Sequence, residues 1–434
     1  MKLRLNSWLE RGRTSLFLLP TTAVFAAIAA GLATVALDRR LDSSQVEFLG
    51  LPSTVDSARA LLGTVAGATI SFAGVAFSIS LLVVQLTSTQ YSSRLVNTVF
   101  RDPFNRRVMA TVVGTFTYCL VVLRSVRSPL EAGGDPVIPN VSVVIALVLG
   151  IASILAVVAL IDHNAHVMDV SQILDRVTSD ALVQVSREWR SADGAHAESD
   201  PAVVDLAGAT TITFDRSGWV QQLDIDELLA AAPLGASISI STYPGRFAVA
   251  GTELCRVSGP VDDADDVARR VRAAVAIGST RTMQQDAGHG LRQVVDVALR
   301  ALSPGVNDPT TAQDAIFHGA VILAAMVSRR PPASVLPRDG GGWLVLSDAP
   351  THEDVVELAY DEVRHVAAGD ATVSGYLLEA IRLVREVAGE GSAADRALAE
   401  QARLVVDGCE ASDLLPHDLG RVQRAFAAKF PLDP

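Results

Sequence analysis

Four long apolar runs crowd the first 161 residues of this 434-residue chain, at 15–37, 58–86, 108–123 and 141–161. Each approaches or exceeds the roughly 20 residues a helix needs to cross a hydrocarbon core; the third is the shortest. In lipid a backbone must satisfy its own hydrogen bonds, so spanning runs of this length are helices. From Asp162 onward no run is long enough to span. The expected fold class is an α-helical polytopic membrane domain of four spans, residues 1–166, followed by a cytosolic α+β domain.

Charge follows the same division. Residues 1–166 hold 13 Arg and Lys against 9 Asp and Glu, and the remainder hold 23 against 39, for a net charge of −12. Lys2, Arg4, Arg11 and Arg13 precede the first run, and Arg94, Arg101, Arg106 and Arg107 lie between the second and third. The other two connections are mixed in sign. By the positive-inside rule both termini are cytoplasmic. The basic start resembles a secretory leader, but its apolar run is too long for a cleaved one, so a retained helix is expected. Lys2 and Lys429 are the only lysines, which removes the Walker A lysine and any internal Schiff-base lysine. Cys119, Cys255 and Cys409 are far apart, without the spacing of a disulfide framework or a zinc ribbon.

The cytosolic part divides further. Residues 167–200 read as an amphipathic helix (Val170, Ile173, Leu174, Val177, Leu182, Val185) leaving the membrane, then the polar linker SADGAHAESD. Residues 201–260 alternate in short apolar runs broken by Ser217-Gly218 and Pro244-Gly245, the pattern of a small β-rich subdomain. Residues 261–434 return to helical spacing, with Asp370 and Ser392 as N-caps and room for a hairpin at Gly340 to Gly342.

The second run is unusual. Thr64, Gly67, Ser71, Gly74, Ser78, Leu81, Gln85 and Ser88 recur at alternating steps of three and four, a stripe of small and polar side chains along one helical face. Two readings stand: a seam for close helix packing, or, in a symmetric oligomer, the wall of a water-filled path. Asp56 near the outer end would favour cations as a ring, or would serve as an interfacial N-cap.

Two further clusters carry polar groups. At the end of the fourth run, Asp162, His163 and His166 could change charge near neutral pH or hold a transition metal with a further ligand; equally they mark a membrane interface. In Gly278 to Ala315, Pro304-Gly305 turns the chain between two helices, and Asp308 caps the second with Pro309 at its first position. Here Asp286, His289, Asn307 and Asp308 are candidates for regulation or ligand binding, with calcium or another hard cation as the ligand. The structural alternative is that Asp308 caps and the Arg/Asp pairs lock helices together.

The strings RTMQQDAGHGLRQVVDVALRALSPGVNDPTTAQDAI, GVAFSISLLVVQLTSTQYSSRLV and PGRFAVAGTEL resemble the bacterial predicted membrane proteins grouped as domain of unknown function 2254. ALSPGVNDPTTA is the most specific match, and the membrane runs match in pattern. Ser92-Ser93-Arg94 departs from the family's Ser-Pro-Arg. The resemblance implies an integral protein of the bacterial inner membrane and no reaction.

No HExxH, GxSxG, Walker A or dinucleotide fingerprint occurs. The expected function is an oligomeric ion channel, cation before anion, with the second run lining the pore. The alternative is a membrane-anchored sensor or scaffold. An enzyme built on Asp286, His289 and Asp308 ranks last, so no enzyme activity is expected. The expected partners are the lipid bilayer, further copies of the chain and ions, not nucleic acid, and no cofactor is required.

Overall fold

The structure, a computed structural model, describes residues 18–40, 54–90, 103–128, 138–167, 170–190, 208–231, 233, 235–258, 261, 263–338 and 341–430. Two compact units follow one another in the chain, Met1–Asp169 and Val170–Pro434. Ser92 to Arg94, the linker at 191–200, and the side chains of Ser88 and His166 lie outside the described residues.

The first unit holds α1 (Leu18–Asp38), α2 (Val55–Gln90), α3 (Pro103–Leu123) and α4 (Asn140–Val167). Each is long and apolar enough to cross a membrane. The third is longer than its apolar run because Pro103, whose missing N–H is no loss in a first turn, starts the helix five residues earlier. α3 packs against each of the other three. Ala58, Leu62, Tyr118, Cys119, Val122 and Ala146 form the core near one end; Ala76, Val108, Val112 and Leu160 form it near the other. Close approach is built in: a Cβ at Gly150 would lie 2.9 Å from Val65 Cγ1. Polar ties cross the bundle as well. Asp38 accepts the N–H groups of Val141 and Ser142 at 2.9 and 3.1 Å, capping α4 from another helix. Thr34 and Tyr118 hydroxyls meet at 2.9 Å.

The second unit opens with α5 (Val170–Glu188), whose buried face is Leu174, Val177, Ala181 and Val185, the face expected from its spacing. Then come β1 (Thr210–Thr213), β2 (Gly218–Leu223), α6 (Ile225–Ala231), β3 (Ile238–Ile240), β4 (Phe247–Ala248), β5 (Glu253–Val257), α7 (Ala264–Ala273) and β6 (Val275–Gly278). They are followed by α8 (Ala287–Ala301), α9 (Pro309–Val327), β7 (Val335–Pro337), β8 (Trp343–Leu346), α10 (His352–Ala367), α11 (Ala371–Arg385), α12 (Ala393–Glu410) and α13 (Pro416–Lys429).

One sheet runs β1-β5-β3-β8-β7 and a second runs β4-β2-β6. Both reach beyond the 201–260 stretch that alternation picks out. β6 joins β2, and β8 pairs in parallel with β3, Ile238 opposite Leu344 and Ile240 opposite Leu346. β7 and β8 pair as the hairpin expected at Gly340 to Gly342; Gly341 and Gly342 have positive φ, and Gly340 lies outside the described residues. Flanked on both sides, β3 is buried throughout, so Ser239 is interior and meets Ser347 Oγ at 3.2 Å.

α9 is a fifth helix that length and composition would allow to span. It lies within the second unit, packed against α5, α8, α10 and α11, with Ile322, Leu323 and Met326 fully buried.

Candidate functional site

Among the described side chains of α2, the buried positions are Ala58, Leu62, Ala66, Thr69 and Ala76, which face the rest of the first unit. The polar stripe occupies other faces: Asp56, Thr64, Gly67, Ser71, Gly74, Ser78, Leu81 and Gln85 are all exposed. An added Cβ at Gly67 or Gly74 would meet nothing within 4 Å. Among the described residues, none buries the stripe. Thr64 donates its hydroxyl to Ala60 O at 2.7 Å and Ser71 to Gly67 O at 3.0 Å. A hydroxyl so engaged keeps its lone pairs as outward acceptors. Asp56 lies inside the first turn and is not the cap: Thr54 Oγ1 accepts the N–H of Ser57 at 3.2 Å.

At the end of α4, the ring of His163 lies 4.5 Å from that of Phe104, centroid to centroid, and Asp162 is exposed. Among the described residues no group of three or more His, Cys, Asp or Glu is placed to hold a metal ion.

Asp286 and Asp308, the two acids singled out between 278 and 315, sit beyond opposite ends of α8. A helix of its length separates them by about 20 Å, so Asp286, His289 and Asp308 do not converge. Asp308 caps α9, accepting the N–H groups of Thr310 and Thr311 at 3.1 Å each and the Thr311 hydroxyl at 2.6 Å. Its carboxyl is held below the ordinary carboxylate range, by the Thr311 hydroxyl first and then that residue's N–H. Asn307, with φ 49°, makes the left-handed turn that delivers Asp308 to this position.

Asp286 caps α8 through the N–H of His289 at 3.0 Å and is buried. Arg281 donates to both its oxygens, at 2.6 and 3.0 Å. Burial nonetheless pushes its carboxyl upward, against Arg281. His289 is buried too, its Nε2 3.3 Å from Gln293 Nε2.

The sequence gives no sign of what surrounds Asp286. Glu188, at the end of α5, accepts the N–H of Ala287 at 3.0 Å and the side-chain amide of Gln184 at 2.6 Å. Burial pushes its carboxyl up to about 7, and the neighbouring Asp286 adds to that. Burial, with Glu188 and Asp286 nearby, also raises the Tyr243 phenol. Gly245, with φ 91°, passes so close that a Cβ there would lie 2.3 Å from Asp286 Oδ2. Three segments distant in the chain thus meet at one buried carboxylate pair; the one local hint is the Pro244-Gly245 turn. A second contact of α5 was likewise unforeseen: His318 Nδ1 lies 2.9 Å from Thr178 Oγ1, with Asp175 and Asp314 at 3.8 and 3.7 Å from Nε2.

A family profile described as a predicted membrane protein (DUF2254) matches residues 13–382. Proteins of Mycobacterium bovis and Mycobacterium tuberculosis, both described as uncharacterized, are 30% identical to this chain over 378 residues, covering 86% of it and 72% of their own length. No solved structure matches the chain.

Proposed function

The chain belongs to the DUF2254 family of predicted membrane proteins, and from that premise we propose that it is an oligomeric ion channel of the bacterial cytoplasmic membrane. In this reading α1 to α4 span the bilayer, α2 lines the conduit, and the second unit regulates it from the cytoplasm. α9 stays outside the bilayer, because its buried contacts belong to the second unit. Both termini are cytoplasmic, following the basic residues before α1 and between α2 and α3.

The observation that carries the reading is the outward position of the Thr64 to Gln85 stripe. Polar and small residues inside a span seek a bundle interior or water, and the described residues of this chain supply no bundle interior to that face. A ring of further copies would. Hydroxyl acceptors and Asp56, with no basic side chain on the stripe, favour cations over anions.

Purified protein in liposomes then conducts monovalent cations, and Ser71→Leu or Ser78→Leu reduces the flux. No flux across a range of ions, pH and calcium concentrations sinks the reading. One observation favours a second: the hydroxyls of Thr64 and Ser71 are already engaged with their own helix, as in a dry seam between copies of an anchored sensor or scaffold. In that case Ser71→Leu disturbs assembly and no flux exists to lose.

A further inference from the structure

The last turn of α5 meets the start of α8 and the turn between β3 and β4 at one group of ionisable side chains. Glu188 accepts the N–H of Ala287 at 3.0 Å and the side-chain amide of Gln184 at 2.6 Å. Asp286, one residue before Ala287, is buried beside it. Tyr243 reaches the same place from the β side, near both acids. The contact continues along the chain: Trp189 stacks on His352 with ring centroids 5.6 Å apart, and Arg190 and Arg330 exchange two backbone hydrogen bonds of 3.0 Å.

Charge decides when this contact is tight. Arg281 donates to both oxygens of Asp286 and balances it. Arg246, on the β3–β4 turn, also attracts Asp286 but is exposed and lies 3.8 Å from Asp348. The positive end of the α8 dipole meets Asp286 first, as its N-cap. His289, one turn into α8, is buried beside Gln293. Arg187 of α5 is exposed. On α9, His318 faces Asp175 and Asp314, about 20 Å along α5 from Glu188. Among the described residues no cation forms an ion pair with Glu188. An ionised Glu188 therefore sets a second negative charge beside Asp286, on the negative end of its own helix dipole, with only two neutral hydrogen bonds to offset it.

We propose that this junction is a proton-operated latch: with Glu188 protonated the end of α5 closes on α8 and the β3–β4 turn, and loss of the proton opens it, together with Trp189 and the Arg190–Arg330 bridge. A carboxyl oxygen that carries a proton still accepts a hydrogen bond, so closure keeps the contacts to Ala287 and Gln184. Burial and Asp286 place the change near pH 7. The latch lies within the second unit and does not depend on the channel reading.

Hydrogen exchange of the full chain in detergent tests it, read by mass spectrometry at pH 5, 6.5 and 8 and corrected for the intrinsic pH dependence of exchange. Peptides covering 185–190, 287–291 and 327–331 should open roughly fiftyfold more readily at pH 8 than at pH 5. At pH 8 they should exchange well ahead of α12, because the opening is confined to the junction. Glu188→Gln should stay closed throughout, and His289→Gln should follow the wild type. Protection that does not change with pH at the three segments overturns the proposal. So does loss of protection in step with α12, which is unfolding of the whole unit. Opening of Glu188→Gln like the wild type, or a dependence that only His289→Gln removes, assigns the proton to another group and overturns it as well. The wild-type profile alone decides where a variant fails to fold.

Discussion

Glu188 accepts the backbone N–H of Ala287 at 3.0 Å, joining the last turn of α5 to the first turn of α8 beside the buried Asp286. That carboxyl is pushed up to about 7 by burial and by Asp286, so the folded protein holds the Glu188 proton more tightly than the unfolded chain does. The associated stability is fully present below the unfolded value near 4.5 and is lost as pH rises through about 7. Its size is roughly 3 kcal/mol between those limits. Asp286, also raised, adds in the same direction. Thermal unfolding of the detergent-solubilised chain should therefore occur at lower temperature at pH 8 than at pH 5. Glu188→Gln, which still accepts from Ala287, should flatten most of that dependence and stabilise at pH 8. A Glu188→Gln profile parallel to the wild type would place the titration elsewhere.

Gly245 tests the same junction from the β side. With φ at 91° and a Cβ only 2.3 Å from Asp286 Oδ2, Gly245→Ala meets both backbone strain and a clash with a buried ion pair. It should cost about 3 kcal/mol or more. Gly235, with φ 79° and nothing within 4 Å of a Cβ, carries the strain alone, and Gly235→Ala should cost about 1 kcal/mol. Similar losses at the two positions would mean the Asp286 contact contributes little.

What could be read from the sequence was what is local. Asp308 before Pro309, Asp370 before Val373 and Ser392 before Asp395 announce helix starts by chemistry within one turn, and all three cap. The period of the α2 stripe was equally local, but its direction was not. Whether Ser71 faces inward is decided by the apolar faces of α3 and α4, which claim Leu62, Ala66 and Ala76 instead. Pairing of β3 with β8 joins residues about a hundred positions apart, and nothing in either strand names the other. Asp286 stands in a run dense in polar residues, while its partners Glu188 and Gly245 come from segments with no common motif.

Asp308 separates a cap from a cation site. Both its oxygens accept hydrogen bonds from Thr310 and Thr311, so Asp308→Ala should destabilise by about 1–2 kcal/mol and Asp308→Asn by less. Chelator at constant ionic strength should leave the unfolding temperature of the wild type unchanged. A calcium-dependent rise that disappears in Asp308→Asn would instead reveal a ligated ion.

Two glycines of the membrane unit decide what the α2 stripe meets. Gly150 faces inward, and a Cβ there would sit 2.9 Å from Val65; Gly150→Leu should therefore disrupt the fold of the unit and lower expression of intact protein. Gly67 faces outward with nothing within 4 Å, so within one chain Gly67→Leu is accommodated without a clash. If copies of the chain meet along the stripe, Gly67→Leu should leave the unfolding temperature of dilute, monomeric protein unchanged while reducing the cross-linked oligomer in membranes. Unchanged cross-linking, with flux intact, would mean that this face meets lipid and that neither conduit nor seam runs along it.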